Sequence, residues 1–365
     1  MDKTFRYFHL IKSGHFGLTL PRGSITNYLN VHNGKISEVV GENGSSFPLI
    51  SIMAAMRCNL KCSFCICRKF PENWREYEMT PQRMQQILDF YSVKKSLMII
   101  FTGGEPTLNN DLPRLMHMSR MNKHLIGMIS NGTLLDGLSK DLAKAGLCDA
   151  QISIYDNTID ILAKTLPKAT TFFPVNASYV ILKSKLYESS KHNFDDLIDV
   201  IKMSKETGCS SIKFNLYQSP DTRTDNDMGE SEIIMQKDSI YQQFIGSCHQ
   251  RMKGINFTGY QSRASFMTTK FTVFFPTPFE QNNMSGERRC RLPWNLGTFN
   301  ALGNYGLCCG ASIESEINDI FTYGEEIINS DKARRIRKCL IDKNEQLAPE
   351  CATCAYLTGS YISDL

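Results

Sequence analysis

Three cysteines stand at a spacing that suits a shared metal group: Cys58-Asn-Leu-Lys-Cys62-Ser-Phe-Cys65, a C-x3-C-x2-C run. A short loop with three thiolates can hold three irons of a [4Fe–4S] cube, because thiolates are the usual ligands of such clusters. The fourth iron then stays open, by the logic that separates a catalytic metal site from a closed structural one. A zinc site, or a loop that is merely rich in cysteine, is the competing reading. A zinc ribbon, however, needs a fourth ligand at short range. Cys67 falls outside the spacing and reads as a spectator.

A loop of this kind needs strands and helices to aim it. The chain has 365 residues, enough for one large domain or two ordinary ones of roughly 100–200 residues. Hydrophobic residues make up 42% and charged residues 21%, which is ordinary globular composition. The net charge of +4 is too small a bias to point to a nucleic acid or a membrane surface. The 13 cysteines are an odd number and lie well short of the roughly 8–10% of a disulfide scaffold, so metal ligation or reactive thiols in a reducing compartment are expected.

Residues 1–47 read as a β appendage, with the Asn33-Gly34 hairpin signal between two strand-like runs. From 48 to 217 apolar, β-branched runs recur at LISIMAAM, SLMIIFTG, LIGMISNG, AQISIY, VNASYVIL and SIKFNLY. Amphipathic stretches separate them. One is TPQRMQQILDFY, with Ile87, Leu88 and Tyr91 on one face; another is NFDDLIDVIKMSKETG, ending on Gly208. Such alternation predicts an α/β fold with a parallel sheet. Six units are too few for a closed eight-stranded barrel, so a partial (β/α)6 barrel is expected. Ligands of such sheets sit at the C-terminal strand ends. Residues 218–285 read as barrel completion and connector, with a helix around 231–252 and a strand near 271–275. The last stretch, 286–365, holds six of the cysteines and reads as a small separate metal-stabilised unit.

The cysteine run, its place after the first strand, the aromatic Phe64 and the later Gly103-Gly104-Glu105-Pro106-Thr107 together resemble the radical S-adenosylmethionine (SAM) superfamily. The resemblance implies a SAM-binding [4Fe–4S] cluster on Cys58, Cys62 and Cys65. The amine and carboxylate of SAM would chelate the open iron, and an electron would cleave SAM to methionine and a 5′-deoxyadenosyl radical that abstracts a substrate hydrogen. The protein positions such a cofactor, and the cofactor carries the difficult chemistry. The resemblance places Gly103, Gly104 and Glu105 toward the SAM amino group, with Phe64, Ser130, Asn131 and Ser153 as further SAM contacts. For Ser130, Asn131 and Ser153, turn chemistry and strand termination is the other reading. Lys183 reads equally as a carboxylate contact or a solvated lysine.

The C-terminal cysteines occur as Cys290-Arg-Leu-Pro-Trp294, as Cys308 and Cys309 in FNALGNYGLCCG, and as Cys351-Ala-Thr-Cys354. They resemble the SPASM/twitch extension of radical SAM enzymes. The resemblance implies one auxiliary [4Fe–4S] cluster on Cys290, Cys308, Cys351 and Cys354; a zinc knuckle is the competing reading. Adjacent strand residues point to opposite faces, so only one of Cys308 and Cys309 ligates, and the 17-residue gap from Cys290 favours Cys308. Cys339 reads as structural, and Cys148, Cys209 and Cys248 as core or surface thiols.

The resemblance implies modification of a ribosomally made peptide by cross-linking, oxidation or epimerisation. The second reading is dehydrogenation or epimerisation of a small natural-product intermediate such as an amino sugar or aminocyclitol. The roughly 47 residues before the barrel look short for a peptide-leader recognition domain. A reducing partner such as flavodoxin or ferredoxin is expected, and neither a membrane nor a nucleic acid. Asp2, Lys3, Arg6 and His9 interrupt any signal-peptide core, and no run approaches ~20 apolar residues, so a soluble cytoplasmic protein is expected. No P-loop, nucleophilic triad or G-x-G-x-x-G turn is present.

Overall fold

The structure is a computed structural model that describes residues 47, 49–65, 67, 70–94, 96–217, 232, 234, 238–259, 270–275, 292–307, 320–342 and 344–352. The expected β appendage over 1–47 lies outside the described residues save for Phe47, as do Cys290, Cys308, Cys309 and Cys354.

All six expected strands form: β1 (Leu49–Ala55), β2 (Met98–Gly103), β3 (Leu125–Ser130), β4 (Leu147–Ile154), β5 (Val175–Ile181) and β6 (Ser211–Leu216). Each pairs in parallel with the next in sequence. A parallel neighbour needs a crossover, and here helices supply it. They are α1 (Pro81–Asp89), α2 (Leu112–Met121), α3 (Leu135–Ala145), α4 (Ile159–Ala169), α5 (Lys183–Ser190) and α6 (Asp195–Glu206). Local signals set their ends. Thr80 caps α1 by accepting the N–H of Arg83 at 3.2 Å, with Pro81 in the first turn. Gly146 ends α3 at φ +107°.

The helices bury the alternate strand residues: Ile50, Ile52, Ile99, Phe101, Ile126, Met128, Ile152 and Ile154 belong to one continuous core. Helix α1 contributes Met84, Ile87 and Leu88. Tyr91 does not join them; the helix stops at Asp89 and the tyrosine is 60% exposed. The other set of strand residues, including Ser51, Met53, Thr102, Gln151, Ser153, Lys213 and Asn215, is half-buried and lines the opposite face of the sheet.

The sheet is larger than six strands. Beyond β6 lie β8 (Thr272–Phe275) and β7 (Asn256–Gly259), preceded by α7 (Ser239–Arg251). On the outer edge of β1 lies β9 (Leu296–Phe299), parallel to it, and β10 (Tyr305–Gly306) pairs antiparallel with β9. Residues 296–306, expected in a separate C-terminal unit, therefore extend the barrel sheet. Among the described residues the sheet stays open, with β10 and β7 as its edges, so the partial-barrel expectation holds. Helix α8 (Asp331–Ile341) packs beside this edge through the fully buried Arg337, which donates to the carbonyls of Pro293 and Ile328 at 3.1 and 3.0 Å.

Candidate active site

The cysteine loop leaves the C-terminal end of β1, and the end of β2 holds its base. Gly104 N–H donates to the Ala55 carbonyl and Glu105 N–H to the Arg57 carbonyl, each at 2.8 Å. The contact needs glycine: a Cβ on Gly103 would lie 2.2 Å from the Ala55 oxygen, and one on Gly104 2.2 Å from the Arg57 oxygen. Gly103 also has φ +136°, which an L side chain rarely adopts. Arg57 continues the anchoring by donating to the Leu108 carbonyl at 2.9 Å and pairing with Glu78. The two glycines thus fix where the chain turns into Cys58.

Glu105 is 1% exposed. One carboxylate oxygen accepts from Thr107 N–H at 3.1 Å, the Thr107 hydroxyl at 2.5 Å and the Ser130 hydroxyl at 2.7 Å. The other accepts from Asn131 N–H at 2.7 Å. A buried carboxylate needs this many donors to offset its lost hydration. Glu105 therefore clamps the end of β2 to the end of β3, a role its motif alone did not reveal. Ser130 and Asn131 lie beside it, 3% and 5% exposed, and Ser130 also accepts the N–H of Gly132 at 2.9 Å.

The side chain of Asn131 turns back to the cysteine loop. Its amide donates to the Cys58 sulfur at 3.8 Å and to the Asn59 side chain at 2.8 Å, while its oxygen accepts from Thr133. Asn59 donates to the Thr133 hydroxyl at 2.9 Å, closing the ring of contacts. Asn59 and Thr133 were not read from the sequence, because their polar side chains carry no motif.

Tyr155, the residue after β4, was also missed. Its hydroxyl lies beside the Cys62 sulfur, and its ring packs 5.9 Å from that of Phe64. Ser153 and Phe64 are both half-buried, Ser153 two residues before Tyr155 on β4. Cys67 lies here too, beside Cys65: its thiol donates to the Gly103 carbonyl at 3.5 Å. Lys183, by contrast, is ion-paired with Asp238 at 3.0 Å, away from this group.

Cys62 and Cys65 are half-buried and Cys58 is exposed. Burial, then the neighbouring Cys65 and Cys58 sulfurs, pushes the Cys62 thiol up to about 11. Burial also raises Cys58, against the Leu60 N–H that reaches its sulfur at 3.4 Å, with Glu105 and Cys65 adding to the rise. Two such thiols, Cys58 and Cys62, resist ionising together unless a cationic group compensates them. Among the described residues no three His, Cys, Asp or Glu side chains converge on a point that would hold one ion. An iron–sulfur cube does not ask for that, since each thiolate takes its own iron, and the Asn131 amide and the Leu60 N–H already donate to the Cys58 sulfur, as such clusters use donors. The residues present fit the group.

In the C-terminal region only Cys351 of the expected ligand set is described. It is half-buried, and its N–H donates to the Ala348 carbonyl at 2.8 Å. Cys339 is buried, donating to the Ile336 carbonyl at 3.1 Å and accepting the Ala348 N–H at 3.3 Å, which suits a packing role. Cys148, Cys209 and Cys248 are buried in the core. Among the described residues no helix is long and apolar enough to cross a membrane.

Comparison with known proteins places this arrangement in a family. The chain is similar to GTP 3′,8-cyclase from Clostridium botulinum, 29% identical over 284 residues, covering 70% of this chain and 81% of the relative. It is 32% identical over 108 residues to Fe-coproporphyrin III synthase from Methanosarcina barkeri, 29% of this chain and 27% of that protein. The match spans about a quarter to a half of the first curated relatives. In fold it resembles Streptococcus suis SuiB bound to precursor peptide SuiA (TM-score 0.59, 15% identity, 90% of this chain and 73% of that chain). It also resembles anSMEcpe with bound AdoMet and Kp18Cys peptide (TM-score 0.52, 15% identity, 86% and 89%). The family profile described as Radical SAM superfamily matches residues 54–228, the stretch that carries the cysteine loop, the Gly103-Gly104-Glu105 clamp and the β3 and β4 exits, and this stretch is a radical SAM domain.

Proposed function

We propose that the chain is an enzyme that holds a [4Fe–4S] cluster on Cys58, Cys62 and Cys65 and binds SAM across the exits of β2, β3 and β4. The observation that carries this reading is the anchoring of the three-cysteine loop to Gly104, Glu105 and Asn131 within a radical SAM match. When bound and reduced, the cluster supplies the electron that cleaves SAM to methionine and a 5′-deoxyadenosyl radical, which takes a hydrogen atom from the substrate. The chain's own part is positional. Gly103 and Gly104 let the β2 end approach the loop, Glu105 locks the β2 and β3 ends together, and Phe64, Ser130, Asn131 and Ser153 border the SAM position. A low-potential donor such as flavodoxin or ferredoxin would supply the electron.

For the substrate we favour a ribosomally made peptide, altered by cross-linking, oxidation or epimerisation. Support comes from SuiB and anSMEcpe, both peptide-bound proteins of the same fold. An auxiliary [4Fe–4S] cluster on Cys290, Cys308, Cys351 and Cys354 would accept an electron from the substrate in a net oxidation. One observation favours a small hydroxylated intermediate such as an amino sugar or aminocyclitol: the half-buried face of β4–β6 is lined with amide and hydroxyl groups. Asn215 there donates to Ser178 at 2.6 Å.

The test is anaerobic incubation of dithionite-reduced protein with SAM. Formation of 5′-deoxyadenosine that stops in Cys58→Ala supports the reading; none from iron-replete wild-type protein sinks it. Tight binding of a synthetic precursor peptide supports the peptide assignment. Indifference to peptides with turnover of an amino sugar supports the second.

A further inference from the structure

Asp149 is held so that only half of its carboxyl is used. Ile126 pairs with Leu147 and Gly127 with Asp149, so Cys148 is one extra residue in β4. Asp149 follows this bulge on the same face as Gln151 and Ser153, opposite the core. Its neighbour on β3 has no side chain: a Cβ on Gly127 would lie 2.6 Å from the Met98 methyl. From the other side a directed chain arrives. The Ser211 hydroxyl donates to the Asn176 side-chain oxygen at 2.8 Å, and the Asn176 amide donates to Asp149 Oδ1 at 2.7 Å. Both donors are buried, and the first bond decides which way the amide faces. Among the described residues nothing else hydrogen-bonds the Asp149 carboxyl and no cation pairs with it, whereas Glu105 has four donors. Lys213 is the one lysine or arginine on this face of the described strands. It stands two strands away and level with Ser153 through Ser178, and it makes no ion pair with Asp149.

We propose that Asp149 anchors a cationic nitrogen of the substrate, an ammonium or a guanidinium, which donates to its second carboxylate oxygen inside the open barrel. The inference rests on the radical SAM reading above and adds the charge of the group that is recognised. Burial pushes the carboxyl up to about 6, so at neutral pH it is ionised and short of a partner. A carboxylate in such surroundings gains most from a donor that is itself charged. Carboxyls kept at a cost to folding are a feature of binding sites. The Met98 thioether beside Gly127 offers an apolar wall for the aliphatic stem behind the cation. Four residues separate Asp149 from Ser153, roughly 13 Å along β4. Ser153 borders SAM on the reading above, so the anchored group lies well below the reacting atoms. That span exceeds one sugar ring and equals about four extended residues, which favours a basic side chain of a peptide as the source of the nitrogen.

The experiment is a ligand-observed NMR titration of anaerobically reconstituted protein with SAM present, at neutral pH, in wild type and Asp149→Asn. Three pairs of probes differ only in charge. They are n-butylammonium and n-butanol, glucosamine and glucose, and an end-blocked pentapeptide with a central lysine and its norleucine twin. The expected result is about tenfold tighter binding of the cationic member by wild type. Asp149→Asn keeps the shape and the Asn176 contact and should lose the preference. Selection of the lysine peptide would assign the nitrogen to a peptide, and selection of glucosamine without it to an amino sugar. Absence of a preference in all three pairs for wild type would overturn the anchor, whether or not the variant folds. A preference that persists undiminished in Asp149→Asn would overturn it too, by placing the cation elsewhere. Protein that selects the cation through Asp149 but forms no 5′-deoxyadenosine would keep the anchor and sink the radical reading. The reverse pair of results would sink the anchor alone.

Discussion

The carboxylate of Glu105 accepts the backbone N–H of Asn131 at 2.7 Å, and the side chain of the same asparagine reaches the Cys58 sulfur. An acidic residue in the GGEPT motif is thus linked to the first cysteine through one intervening residue and two strand ends. Its four hydrogen bonds are made at 1% exposure, so no water stands ready to replace them. Glu105→Ala should leave the Thr107, Ser130 and Asn131 donors unpaired and cost about 3 kcal/mol or more. Glu105→Gln keeps the shape but turns one acceptor into a donor facing Asn131, at about half that cost. Urea unfolding reads both; an unchanged midpoint in Glu105→Ala would show that the clamp contributes nothing to stability.

Two glycines separate a packing requirement from a conformational one. Gly104→Ala would put a methyl 2.2 Å from the Arg57 oxygen, so the base of the cysteine loop has to move. We expect a loss of about 2–3 kcal/mol together with reduced iron uptake. Gly137, in the first turn of α3, is exposed and has nothing within 4 Å of an added Cβ. Gly137→Ala should stabilise by about 0.5–1 kcal/mol through helix propensity and leave iron uptake alone. Equal iron contents in the two variants would break the link between Gly104 and the loop.

The barrel strands were legible in the sequence because both sides of each run announce it. The β-branched runs of β1 to β6 are bounded by capped helices such as α1 with Thr80 and Pro81. The cysteine loop was legible for the same local reason. β9 was not: Leu296–Phe299 is four residues long and owes its place to the β1 edge, a contact 247 residues away in the chain. Tyr155, Asn59 and Thr133 escaped notice because their importance lies in contacts across loops, which no spacing encodes. Glu105 was found for its motif, but its clamp of β2 to β3 depends on Ser130 and Asn131 lying opposite, which only the register of parallel strands brings about.

Asp149 on β4 gives a pH dependence with a definite sign. Burial pushes its carboxyl up to about 6, only partly offset by the Asn176 amide that donates to it at 2.7 Å. The folded group therefore holds its proton to higher pH than the unfolded one, near the ordinary 3.8. Between about pH 4 and 6 the folded state binds more protons, so stability falls as pH rises through this window, by up to about 3 kcal/mol. Asp149→Asn should flatten that slope and be the more stable protein at pH 7. Urea midpoints from pH 4 to 7 check it; parallel curves for the two proteins would mean that Asp149 is hydrated in the folded chain.

Arg337 has no exposed surface, and besides the Pro293 and Ile328 carbonyls it donates to the Asn329 side chain at 3.0 Å. It ties α8 to the segment that leads from Cys290 into β9. Replacing it with methionine fills similar volume but strands buried carbonyls, at a cost of about 3–5 kcal/mol locally. Lysine should not rescue it, since a single ammonium cannot reach three acceptors set in a fork. Hydrogen exchange in Arg337→Met is expected to speed up across 292–307 and 320–341 while β2 to β5 stay protected. Uniform exchange over the whole chain would show that this edge unfolds only with the barrel.

The proposed auxiliary cluster can be tested apart from the first by removing the ligands of the first. Changing Cys58, Cys62 and Cys65 together to Ala deletes all three proposed ligands but leaves the Gly103–Ala55 and Gly104–Arg57 packing in place, so the barrel should fold. On the proposed reading Cys290, Cys308, Cys351 and Cys354 would supply a complete thiolate set, which in a cube leaves no iron open and suits electron transfer more than substrate chelation. After anaerobic reconstitution the triple variant should retain about four irons per chain, and a further Cys351→Ala change should release them. Such a result makes an electron-accepting role in a net oxidation the next question. Zinc in their place, or no metal, would remove the second cluster and leave radical chemistry at a single centre, with any oxidation of the substrate needing an external acceptor.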